Sequence, residues 1–105
     1  CGEPNTISWD ILKNHVKVFI AAPDWVAANG MRMLAAPIKG DASITSGESG
    51  AAPFGALAAM MTMDEYKDLR NDIGLDASSK VLLFSTEGDT DPDRYKNIVW
   101  KGLDK

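Results

Sequence analysis

Two short stretches concentrate the residues that could do chemistry. The first, "SGESG" at residues 46–50, sets glycines and hydroxyls around Glu48 just before an alanine-rich run. Glycines without Cβ atoms let backbone N–H groups approach a ligand, and a helix beginning at Ala51 or Ala52 would add its positive end. Glu48 would accept a ligand hydrogen bond, or hold a proton if partly buried. The plain alternative is a strand-to-helix turn whose acid favours the helix dipole. On spacing alone that alternative has the stronger case. No G-K-[ST] follows, so this is not a phosphate-binding P-loop.

The second stretch, "STEGDTD" at residues 85–91, follows an apolar run. A hydroxyl on Ser85, ending a buried strand, would point into a crevice and hydrogen-bond a heteroaromatic nitrogen. Glu87, Asp89 and Asp91 lack the full calcium-loop pattern with its distant glutamate, so calcium is not expected. Read by itself, this stretch is a solvated acidic turn. His15 near a helix end is a dipole partner before it is a base. Trp9, Trp25, Met31, Met33, Met60 and Met61 read as packing residues. Cys1 has no neighbouring base to activate it. One cysteine and one histidine exclude a disulfide framework and a His/Cys metal cluster.

These residues need elements to position them. Ser8 is expected to cap a helix running to about His15 that buries Trp9, Leu12 and Ile11. Residues 16–22, "VKVFIAA", are almost wholly apolar and β-branched, as suits a strand covered on both faces. Pro23 stands at the first position of a helix that Pro37 ends. Gly30 inside it costs about 1 kcal/mol against Ala, which predicts close packing on a neighbour. "ITS" at 44–46 is a very short strand. A thin helix follows "SGESG". Thr62 and Glu65 form a capping box for another helix, stopped by Gly74. "KVLLFS" at 80–85 is the clearest strand, and Asp91–Pro92 starts a last helix to about Val99. Strands alternating with helices predict an α/β layered fold with a mostly parallel sheet. Both chemistry-bearing stretches would lie at the carboxyl ends of its strands, where such sheets bind ligands.

The composition agrees with one domain at most. The chain has 105 residues, 45% of them hydrophobic and 25% charged, with a net charge of −4. That balance argues against a nucleic-acid or anionic-membrane surface. No apolar run reaches the length of a membrane span, and no signal segment is visible. The chain opens on Cys rather than Met, which reads as a piece of something longer.

"CGEPNTISWDIL", "PDWVAANGMRMLAAP", "SGESGAAPFG" and "STEGDTDP" together resemble the C-terminal portion of the diaminopropionate ammonia-lyase family. That family belongs to the fold-type II enzymes that use pyridoxal 5′-phosphate (PLP). The resemblance covers nearly all of the chain. It implies one α/β segment, residues 1–105, forming the C-terminal part of the large PLP-binding domain. It implies α,β-elimination of 2,3-diaminopropionate to pyruvate and ammonia, with PLP as electron sink. Ser85 then matches the hydroxyl that faces the pyridine nitrogen, with Thr86 as the near alternative. Glu48 matches an acidic residue beside the ring in dehydratase-like relatives. Gly2 falls where backbone passes the ring.

The family's Schiff-base lysine, phosphate loop and substrate-carboxylate loop lie upstream, and no lysine of this chain sits in a matching context. The resemblance therefore implies one wall of a site, without catalytic residues and inactive alone. It implies an amino-acid substrate, a homodimer for the full-length enzyme and a cytoplasmic setting, with no metal, nucleic acid or membrane. Two rivals stand beside it: a serine/threonine dehydratase-like PLP lyase, and a non-catalytic α/β domain that binds a small ligand.

Overall fold

The computed structural model of the chain describes residues 5–104. Regular structure among them is helical. The elements are α1 (Thr6–His15), α2 (Asp24–Ala35), α3 (Glu48–Thr62), a 3-10 turn (Asp64–Tyr66), α4 (Lys67–Asp72) and α5 (Pro92–Val99).

The centre of the fold is the α2/α3 pair, and small residues make it. A Cβ on Gly30 would strike the Ala51 carbonyl and lie 3.0 Å from the Gly55 nitrogen. A Cβ on Gly55 would strike the Val26 carbonyl. Backbone therefore meets backbone, which is the close packing that Gly30 predicted. Ala28, Met31 and Ala51 join Ile98 of α5 in the buried core, with Leu34, Tyr95 and Val99 against it.

Two arginines fasten the C-terminal helix to this pair. Arg32 of α2 donates through Nε to the Ile98 carbonyl at 3.0 Å and through Nη2 to the Leu103 carbonyl. Arg94 of α5 reaches Glu48 at the start of α3. A third, Arg70, donates to the Met60 carbonyl at 2.6 Å and so satisfies the end of α3.

Local signals decide several termini. Asp91 caps α5 by accepting from the Arg94 N–H at 3.1 Å, with Pro92 directly after it, as expected. The α4 end is also as expected. Gly74 has φ +78°, and the Leu75 N–H donates to the Arg70 carbonyl at 2.9 Å, closing a Schellman motif.

Other termini differ. Asn5, not Ser8, caps α1, because its side chain accepts from the N–H groups of both Ile7 and Ser8. Pro23 is the N-cap of α2 rather than its first residue. The capping box at Thr62 does not form. Thr62 is still inside α3, and its hydroxyl donates to the Ala58 carbonyl at 2.7 Å. The helix after "SGESG" starts at Glu48, three residues earlier than the alanine run suggests, because Gly47 serves as its N-cap.

The largest difference concerns the strands. No strand forms among the described residues, so the mostly parallel sheet is not present in them. Residues 16–22, 44–46 and 80–85 carry no regular structure. Phe19 is 63% exposed, Leu82 78% and Phe84 70%. A strand exists only through its ladder partner, and these runs lie beside none. The same holds for α1, which buries no residue. Trp9, Ile11 and Leu12, expected in a core, stay at least 40% exposed. The Trp9 ring rests 6.1 Å from that of Phe19 instead. No helix among the described residues is long and apolar enough to cross a membrane.

Candidate functional site

The two chemistry-bearing stretches meet. The Gly47 N–H donates to the Glu87 carbonyl at 2.9 Å and lays the start of α3 against residues 85–88. The glycines make that approach possible. A Cβ on Gly47 would strike the Glu87 carboxylate and lie 2.5 Å from the Gly88 carbonyl. A Cβ on Gly50 would lie 2.6 Å from Ser46 Oγ and 2.9 Å from Ser85 Oγ. The space that "SGESG" keeps open is thus used by the chain itself.

Ser85 is exposed, and its Oγ lies 2.8 Å from that of Ser46, a hydrogen bond across 39 positions of sequence. Ser46 is fully buried. Sequence reasoning missed it as a site residue. The available signal was a hydroxyl between "IT" and the Gly47 that opens the helix. Thr86 is exposed next to Ser85. Gly2 lies outside the described residues.

Glu48 is tied to an arginine of α5. Its carboxylate accepts from Arg94 Nε at 2.5 Å and Nη2 at 3.3 Å, and Arg94 also reaches Asp104 at 3.4 Å. The Arg94 guanidinium is held above its ordinary pKa, first by the hydrogen bond to Glu48 and then by that group's charge. Glu48, Glu87, Arg94 and Tyr95 line a cavity of about 30 Å³. That is space on the scale of a water molecule, not of a planar cofactor ring.

A wider groove of about 600 Å³ lies along the opposite side of α3. Ala52, Ala56 and Leu57 face Val18, Ile20, Val81 and Leu83 across it. The helix therefore presents small residues to both apolar runs as well as to α2. Among the described residues, no group of three His, Cys, Asp or Glu side chains stands close enough to hold a metal ion.

Comparison with known proteins gives this arrangement a context. The chain is 54% identical over 103 residues to diaminopropionate ammonia-lyase of Salmonella typhimurium. It matches diaminopropionate ammonia-lyase along nearly its whole length. The counterpart from Escherichia coli K12 is 46% identical over 102 residues. Each alignment takes in 97% of this chain and 26% of the relative, so the chain spans about a quarter of the curated relatives it matches. No protein-family model matches the chain.

Solved structures agree. The E. coli diaminopropionate ammonia-lyase in complex with an aminoacrylate-PLP azomethine reaction intermediate superposes with a TM-score of 0.92 at 45% identity. That superposition takes in 99% of this chain and 28% of the solved one. The same enzyme in complex with D-serine also gives 0.92. The backbone path of this chain, uncovered runs included, is therefore that of a segment of this fold.

Proposed function

We propose that this chain is one wall of a PLP-dependent ammonia-lyase that eliminates ammonia from 2,3-diaminopropionate and yields pyruvate. The observation that carries the reading is the near-complete superposition on a diaminopropionate ammonia-lyase holding a PLP reaction intermediate. The segment belongs to the C-terminal part of the large PLP-binding domain. Residues 16–22 and 80–85 become sheet strands there, when the rest of the protein supplies their ladder partners. The whole enzyme acts on a small amino acid, as a homodimer in the cytoplasm.

The donor chemistry fits PLP. Ser85 ends an apolar run, is exposed, and keeps hydrogen-bonding capacity beyond its contact with Ser46. Bound PLP supplies the electron sink for elimination. Ser85 meets its pyridine nitrogen with a neutral hydroxyl, which does not force a proton onto that nitrogen; Thr86 is the neighbouring alternative. Glu48 holds Arg94 and so fixes α5 against α3, which keeps residues 85–91 in register with the helix start.

The test compares the 105-residue chain with the longer protein that contains it. The longer protein is expected to bind PLP and release pyruvate from 2,3-diaminopropionate, and the short chain to release none. A longer protein that shows neither PLP absorbance nor pyruvate overturns the reading.

A further inference from the structure

Ser46 is a fully buried polar side chain. A buried hydroxyl must place its single hydrogen well, since an unmade bond there costs free energy. Three oxygens surround it. Ser85 Oγ lies at 2.8 Å, the Gly47 carbonyl at 3.3 Å and the Glu87 carbonyl at 3.4 Å. Only the first is at the ordinary O–H···O distance. Gly50 leaves the room this pair needs, because a Cβ there would crowd both hydroxyls and the Glu87 carbonyl. The Gly47-to-Glu87 backbone bond fixes the spacing of the two segments.

The direction of the Ser46–Ser85 bond decides what Ser85 offers outward. When Ser46 donates to Ser85, the Ser85 hydrogen is free to point away from the protein. When Ser46 donates to a carbonyl and accepts from Ser85, Ser85 offers only lone pairs. The carbonyls are the longer partners, which favours the first arrangement. We propose that Ser46 is a positioning residue that makes Ser85 a hydrogen-bond donor toward the PLP ring nitrogen and favours the unprotonated form of that nitrogen. The proposal rests on the reading of Ser85 given above. A chain of two hydroxyls also makes the outer one a stronger donor.

The experiment is a double-mutant cycle in the longer, full-length protein with Ser46→Ala, Ser85→Ala and both together. The readouts are PLP titration of the apo form and the pH dependence of the bound-PLP absorbance. Ser46→Ala is expected to weaken PLP binding by less than Ser85→Ala does, because Ser85 keeps its own hydrogen and loses only its fixed orientation and polarisation. It also moves the pH midpoint of the ring absorbance upward, which general loosening of the structure would not do. The double variant is expected to bind no more weakly than Ser85→Ala. Additive losses, or wild-type binding by Ser46→Ala beside weakened Ser85→Ala, overturn the positioning role and leave the Ser85 reading intact. Wild-type binding by Ser85→Ala overturns the reading of Ser85 itself. If Ser46→Ala does not fold, Ser46→Cys, with its weaker donor, enters the same cycle and must show the same coupling.

Discussion

The α2/α3 pair is closely packed, whereas the two apolar runs, richer in large hydrophobic side chains, stay largely uncovered. Gly30, Ala51 and Gly55 bring two helices into backbone contact with nothing further needed. Residues 16–22 and 80–85 hold large β-branched and aromatic side chains that meet little of the described chain. Small residues complete an interface between elements near in sequence. The runs expected to be strands have no ladder partner among the described residues. The contrast teaches that burial of a run depends on what surrounds it and not only on its composition.

The sharpest way to break this comparison is to overfill the closely packed side. Gly55→Ala places a methyl group against the Val26 carbonyl, where backbone cannot yield cheaply. It should destabilise the protein by about 1–3 kcal/mol or more in denaturant unfolding, the range seen for overpacking. Unchanged stability would mean that the two helices do not touch as described.

The uncovered side gives a conditional effect. Leu82→Ser should change the stability of the short chain by no more than about 0.5 kcal/mol, because the side chain is mostly in solvent. In the longer protein the same change should cost about 2–5 kcal/mol, as core truncations do. Equal effects in the two contexts would show that the run is a surface loop in both.

The ion pair between the two helices should matter less. The Arg94 and Glu48 side chains are 43% and 35% exposed, so solvent screens them. Glu48→Gln should lower the unfolding midpoint only slightly, as expected for a solvent-screened pair. The smallest effect concerns the turn after α4. The Ser78 hydroxyl and N–H, with Ser79 adding less, hold the Asp76 carboxyl below the ordinary aspartate pKa of 3.8. This carboxylate contributes stability above its unfolded pKa and loses it as pH falls through the lower folded value. An NMR pH titration should place its midpoint below 3.8, and Ser78→Ala, which removes the hydroxyl but keeps the N–H, should raise it part of the way back.

What the sequence made legible follows the range of the interactions. The α5 start, the Gly74 stop and the close approach at Gly30 depend on neighbours or on the absence of one side chain, and they could be read directly. Ser8 and Thr62 looked like caps because their spacing was right, but Asn5 and the continuing α3 backbone competed and won. The expected strands do not form among the described residues, because a strand needs a ladder partner that these residues do not supply. The site was legible as two stretches, "SGESG" and "STEGDTD", but not as a set of contacts. Glu48 meets an arginine 46 positions away and Ser46 a serine 39 positions away, and no periodicity announces either.

Ser85, at the exposed end of the 80–85 run, is proposed to face PLP in the longer protein. The most direct test titrates apo forms of the longer protein with PLP, wild type beside Ser85→Ala. Affinity several-fold weaker is expected for Ser85→Ala, reflecting a net loss of about 0.5–1.5 kcal/mol. Identical affinity and identical bound-PLP absorbance would contradict it and turn the search to Thr86.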